Sequence, residues 1–169
     1  MNETDSELGE IHRTGDTVEI VFHRRFDRTI EQVWAALSVP ERIADWFTEV
    51  HFARLAPGEP FVLTFPAPHG SAEGQLVDVN PPHRLAWTWP QPDGSQSTAT
   101  FELQRDGDGC RLTLTESGLT VEQGADNAGG WHAHLQAVLD AIDGVPTAWE
   151  TLVGRAKAVE EIYRGRAPA

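Results

Sequence analysis

With 169 residues, 40% of them hydrophobic, the chain is long enough for one folded domain with a substantial core. Thirteen Lys and Arg against 26 Asp and Glu leave a formal charge of −13, which repels phosphate backbones and anionic lipid heads and makes nucleic acid and membrane poor partners. The single Cys110 excludes an internal disulfide and a cysteine-based zinc site, and with neither a signal-peptide pattern nor a membrane-length apolar run the expected location is the cytoplasm.

Residues 1–16 are polar, with acids at Glu3, Asp5, Glu7 and Glu10, and read as a flexible tail. Thr17 to Phe26 alternates Val18, Ile20 and Phe22 against Glu19 and His23, the pattern of a first strand. Thr29 can cap a helix through Ser38, and Pro40 suits the first position of a second, Pro40 to Trp46. From Glu49 the chain turns to strands: about Glu49 to Arg54, Pro60 to Phe65, Ser71 to Val79, His83 to Pro90, Ser95 to Arg105 and Cys110 to Ser117. The turn-rich links between them are short, which predicts an antiparallel meander, since parallel neighbours need long crossovers. A glycine-containing linker, Leu119 to Gly130, precedes a helix from Trp131 to Asp143 whose Trp131, Leu135, Val138 and Ile142 share one face. Thr147 to Tyr163 makes a last helix, whose stripe of Trp149, Leu152, Val153, Ala156 and Tyr163 either packs on its own domain or forms a homodimer seam.

The order of these elements describes an α+β helix-grip fold: a curved antiparallel sheet of about six or seven strands wrapped around a C-terminal helix, with two short helices after the first strand. Particular residues carry the match further. Arg25-Phe26, Val33-Trp34, Leu37, Pro40-Glu41 and Trp46-Phe47 resemble the opening of the domain shared by homologues of the heat-shock-protein-ninety ATPase activator. Gly58 with Phe61, Gly74, Pro81-Pro82 with Arg84-Leu85 and Trp87, Phe101, Leu112 to Glu116, and Gly130-Trp131 with Leu135 follow in that family's order. The resemblance covers about residues 17–143, within one helix-grip domain taken as 17–163. It implies the wider superfamily of lipid-transfer START domains, plant pathogenesis-related allergens and aromatic polyketide cyclases, which share a cavity between sheet and helix rather than one catalytic set.

On that implication, Trp46, Phe47, Phe61, Phe65, Trp87, Trp89, Trp131 and Leu135 are candidate cavity walls, although each also suits ordinary core packing. His134 follows Trp131 by three residues and shares its side of the helix, where an imidazole can bond a ligand or move a proton; at the helix edge it would be satisfied by backbone or water instead. His132 projects elsewhere and cannot readily share a metal with His134. Glu116 continues the phase of Leu112 and Leu114, so it either faces the apolar side of the sheet or ends an exposed strand. His134 and Glu116 are the candidate catalytic residues. No phosphate loop, nucleophile elbow, metal spacing or dinucleotide fingerprint is present, and no cofactor is expected. The leading function is a binding protein for a small apolar or aromatic molecule. The alternatives are a cyclase- or hydrolase-type enzyme using the same cavity, and a chaperone-related protein-interaction module.

Overall fold

The computed structural model describes residues 7–168. Eight strands form one antiparallel sheet: β1 (Glu10–Thr14), β2 (Thr17–Phe26), β3 (Glu49–His51), β4 (Pro60–Thr64), β5 (Ser71–Asn80), β6 (Arg84–Pro90), β7 (Gln96–Asp106) and β8 (Gly109–Thr120), in the spatial order β1-β2-β8-β7-β6-β5-β4-β3. Helices α1 (Ile30–Ser38) and α2 (Pro40–Ile43) follow β2, and α3 (Val121–Ile142) and α4 (Trp149–Arg166) end the chain. The α+β helix-grip architecture is therefore as expected, with one strand more than the upper expectation.

That strand is β1, which corrects the reading of residues 10–14 as tail. Its sequence, Glu-Ile-His-Arg-Thr, offers one apolar side chain, Ile11, so alternation gives no signal there. What holds it is backbone pairing to β2 across the two-residue turn Gly15-Asp16, where Gly15 takes φ +63°, the glycine-first arrangement of a tight hairpin. Residues 1–6, the rest of the expected tail, lie outside the described residues.

Inward positions follow the pleat: Val18, Ile20 and Phe22 on β2, Ser97, Ala99, Phe101 and Leu103 on β7, and Leu112, Leu114 and Glu116 on β8 are all buried. Register shifts between Val18 and Ile20 and between Leu76 and Asp78 mark irregularities of the bulge kind, which bend a sheet around what it covers. α1 begins at the Thr29 cap, with Gln32 completing a capping box, as the sequence predicts.

The expected linker 119–130 is overturned. β8 runs to Thr120, which caps α3 directly: Thr120 Oγ1 accepts from the Gln123 N–H, and Gln123 Oε1 accepts from the Thr120 N–H. Two of the glycines that read as loop, Gly124 and Gly129, are packing positions. A Cβ on Gly124 would stand 2.9 Å from Val18 Cγ2, and one on Gly129 would stand 3.4 Å from the Ala156 carbonyl oxygen of α4. The helix gives up propensity at these sites to lie close to β2 and α4.

α4 buries Leu152, Val159 and Tyr163, so much of its stripe is covered within the chain. Tyr163 is fully buried, and its hydroxyl accepts from the Gly9 N–H at 2.9 Å and is hydrogen-bonded to His132 Nδ1 at 3.1 Å. One hydroxyl thus ties both ends of the fold to α3. Tyr163→Phe is expected to cost about 1–3 kcal/mol by leaving a buried N–H and an imidazole nitrogen unpaired, read as a lower urea midpoint with unchanged m-value. No helix among the described residues is long and apolar enough to cross a membrane.

Candidate functional site

The inward face of the sheet is apolar except at one end, where the phase of β7 and β8 delivers Ser97 and Glu116. Glu116 is 1% exposed. Ser97 Oγ donates to its Oε1 at 2.6 Å, and Trp131 Nε1 donates to its Oε2 at 2.6 Å. Asn127, one helical turn before Trp131 on α3, donates from Nδ2 to both oxygens at 3.2 and 3.3 Å. Gln91, in the turn between β6 and β7, donates to Ser97 Oγ at 2.9 Å and reaches Glu116 Oε1 at 3.5 Å. Among the described residues no cation pairs with Glu116. Burial pushes its pKa above the ordinary carboxylate value, and the hydrogen bonds from Ser97, Trp131 and Asn127 pull part of the way back.

Glu116 is therefore inward and buried rather than at an exposed strand end. Ser97, Gln91 and Asn127 are members of the site that sequence reasoning missed. Ser97 carried a detectable signal, being the polar residue in phase with Ala99, Phe101 and Leu103, whereas Gln91 lies in a turn whose closure by Gln91 N–H to the Ser95 carbonyl is not legible locally.

His134 packs edge-on against the Phe47 ring, 4.6 Å between centroids, and against Trp131 at 5.9 Å. Its Nδ1 lies 3.0 Å from the Trp46 carbonyl oxygen, which can only accept, so Nδ1 carries the proton and Nε2 is left as an acceptor. Burial lowers its pKa to about 4, so the ring is neutral at pH 7. Glu116 and His134 line one cavity but share no hydrogen bond; Trp131 contacts both. His132 turns away to Phe22 and Tyr163, and no group of three or more His, Cys, Asp or Glu among the described residues is placed to hold a metal.

The cavity measures about 150 Å³ and is lined by Phe47, Trp89, Glu116, Asp126, Asn127, Gly130, Trp131 and His134. Asp126 is exposed and Gly130 half-buried, and nothing lies within 4 Å of where a Gly130 Cβ would be, so this side of α3 forms the opening. The other wall candidates fall elsewhere. Phe61 and Trp87, with Phe47, border a small apolar void of about 20 Å³, room for one water. Phe65, with Phe47 and Trp149, borders an open groove of about 840 Å³ between α2, β3, β4 and the start of α4. Trp46 and Leu135 border none of these and pack in the core, Trp46 donating from Nε1 to the Ala36 carbonyl at 2.8 Å. Phe47 alone touches all three spaces.

Solved structures share this architecture. CalU16 from Micromonospora echinospora superposes with a TM-score of 0.74 at 23% identity over 94% of this chain and 95% of that one. The protein encoded by gene BPP1335 of Bordetella parapertussis is 30% identical over 98% of this chain and 95% of its own, with a TM-score of 0.68. DynU16, described as a protein in the dynemicin biosynthetic locus, gives 0.70 at 20% identity over 81% of this chain and 51% of that one. No curated protein matches the sequence. The sequence profile of one family aligns with residues 27–143, from the residue after β2 to the end of α3, and so takes in the strands and helix that build the cavity. The chain belongs to the family of activator of Hsp90 ATPase homolog 1-like proteins.

Proposed function

We propose that this protein binds a small apolar or aromatic molecule in the 150 Å³ cavity bounded by Phe47, Trp89, Trp131 and the Glu116 network. The observation that carries the reading is Glu116 itself. A buried carboxylate without a cation costs stability that an apolar residue would not, and here four neutral donors are assembled to keep it at the edge of a cavity. Polar groups placed in an otherwise aromatic hollow are the pattern of a ligand site. The size fits, because an apolar cavity of about 150 Å³ accepts a benzene ring. A larger ligand gains the adjoining groove if Phe47 changes rotamer. DynU16, which shares the fold, is linked to a biosynthetic locus, which agrees with small-molecule handling. The lone, buried Cys110 suits the cytoplasm.

Gly130 supplies the test. Gly130→Leu projects a side chain into open space at the cavity wall and replaces a helix-interior glycine, so the fold is expected to hold or gain about 0.5–1 kcal/mol. Titration of monocyclic aromatic probes, followed by tryptophan emission from Trp89 and Trp131, is expected to saturate in the wild type and to weaken about tenfold or more in Gly130→Leu. An equal response in both proteins, or no saturation in either, overturns the assignment.

A further inference from the structure

Resting on that reading, we propose that the ligand is a cation, a protonated amine or amidine carried on a small apolar or aromatic body. The cavity lining is one-sided in its chemistry. Its carboxylates are the buried Glu116 and Asp126 at the mouth, and its free imidazole nitrogen, His134 Nε2, can only accept while the ring is neutral. Of the side-chain donors on its lining, Trp131 Nε1 and the Asn127 amide are already engaged on Glu116, which leaves, among the described residues, the Trp89 indole N–H. No Lys or Arg lines it. A neutral ligand rich in acceptors, or an anion, finds at most that one indole N–H, whereas an ammonium brings the donors and the charge that the site lacks.

The ring geometry points the same way. Phe47 stacks near-parallel to Trp131, with centroids 6.0 Å apart at 14°, and Trp89 leans on Phe47 at 5.4 Å. A cation entering beside Gly130 comes against the rings of Trp89 and Trp131, tryptophan being the strongest of the aromatic partners, backed by a carboxylate in a low-dielectric setting. The overall charge of −13 raises the local concentration of cations, while the charge of Asp126 at the mouth is partly offset by Arg164, 3.9 Å away. Because burial already strains the ionised form of Glu116, an arriving positive charge restores part of what desolvation removed. The convergence of four donors on the carboxylate favours its anionic form against that burial.

The experiment compares benzylamine, benzyl alcohol and benzoate at pH 7 in about 0.15 M salt, where surface attraction is screened within about 8 Å. Benzylamine is expected to bind about tenfold tighter than benzyl alcohol, with benzoate the weakest. In Glu116→Gln the preference for benzylamine is expected to shrink to within about twofold, and in Gly130→Leu both ligands are expected to weaken together. If benzyl alcohol binds as tightly as benzylamine in the wild type, the cation assignment is overturned while the binding site stands. A preference for benzylamine that survives in both variants overturns it too, by assigning the effect to the acidic surface. If none of the three binds, the binding function fails first and the cation assignment falls with it. The wild-type comparison needs no variant, so it decides even if Glu116→Gln does not fold.

Discussion

Gly74→Ala is expected to destabilise the protein by about 3 kcal/mol, lowering its thermal midpoint by roughly 6–12 °C for a domain of this size. Gly74 sits inside β5, opposite Phe61 of β4, and its backbone is unremarkable in φ; the constraint is space. A Cβ there would stand 2.3 Å from Phe61 Cζ and 2.5 Å from the Thr88 carbonyl oxygen of β6. The ring tip could swing only by vacating its place in the core, where Phe61 is 3% exposed, and the carbonyl belongs to a paired strand. Overpacking against backbone on one side and a buried ring on the other leaves no inexpensive relaxation. Gly130→Ala, at a glycine with open space around it, serves as the matched control, and differential scanning calorimetry of the two variants should move them in opposite directions. Equal midpoints would show that β5 yields more easily than its neighbours suggest.

Acidification from pH 7 to pH 5 is expected to lower the urea midpoint. His132 and His134 are held at about 4 by burial, against an ordinary value of 6.5. The unfolded chain takes up protons across that interval that the folded protein refuses, so the stability these rings contribute is complete above 6.5 and drains away toward 4. For His132, 2% exposed, the full effect is on the order of 3 kcal/mol; His134, with part of its surface accessible, contributes less. Glu116 acts in the opposite sense. Its raised pKa means that the folded state keeps a proton the unfolded state has lost, so falling pH relieves it over the window above 4.5. Two imidazoles act against one carboxyl, and the slope should become steeper in Glu116→Gln and shallower in His134→Gln. The carboxylates Glu31, Asp93 and Asp106 do not interfere, because hydrogen bonds hold them below their ordinary values and out of the interval. A midpoint that stays flat between pH 7 and pH 5 in the wild type would show that the imidazoles are not held neutral.

The sequence was most informative where one physical signal dominated. The alternation of β2, β7 and β8 and the Thr29 cap were legible because burial and capping act over a few residues. The same phase rule brought Glu116 inward. It failed for β1, which is held by the backbone of β2 and shows one apolar residue of its own. It also failed for the first half of α3, where Gly124 and Gly129 are small because Val18 and Ala156 come close, a reason that exists only in three dimensions. The site divides in the same way. Side-chain type selected Phe47, Trp89, Trp131 and His134, all of which border the cavity, but could not separate them from Trp46 and Leu135, which have the same composition and lie in solid core. Gln91, Ser97 and Asn127 belong to no motif; they matter because three elements bring them to one carboxylate.

The strand order also has a temporal side. From β4 to β8 each strand pairs with its predecessor, so these hairpins can zip from local turns as the chain lengthens. β2 is different: Val21 pairs with Thr115, across the whole meander and both short helices. Until β8 exists, the β1-β2 hairpin is a marginal two-stranded ribbon with an open edge. Joining it to β8 closes the longest loop in the sheet, and the entropy of that closure falls on a single late event. The strand that α3 later covers is thus among the first made and among the last to find its place.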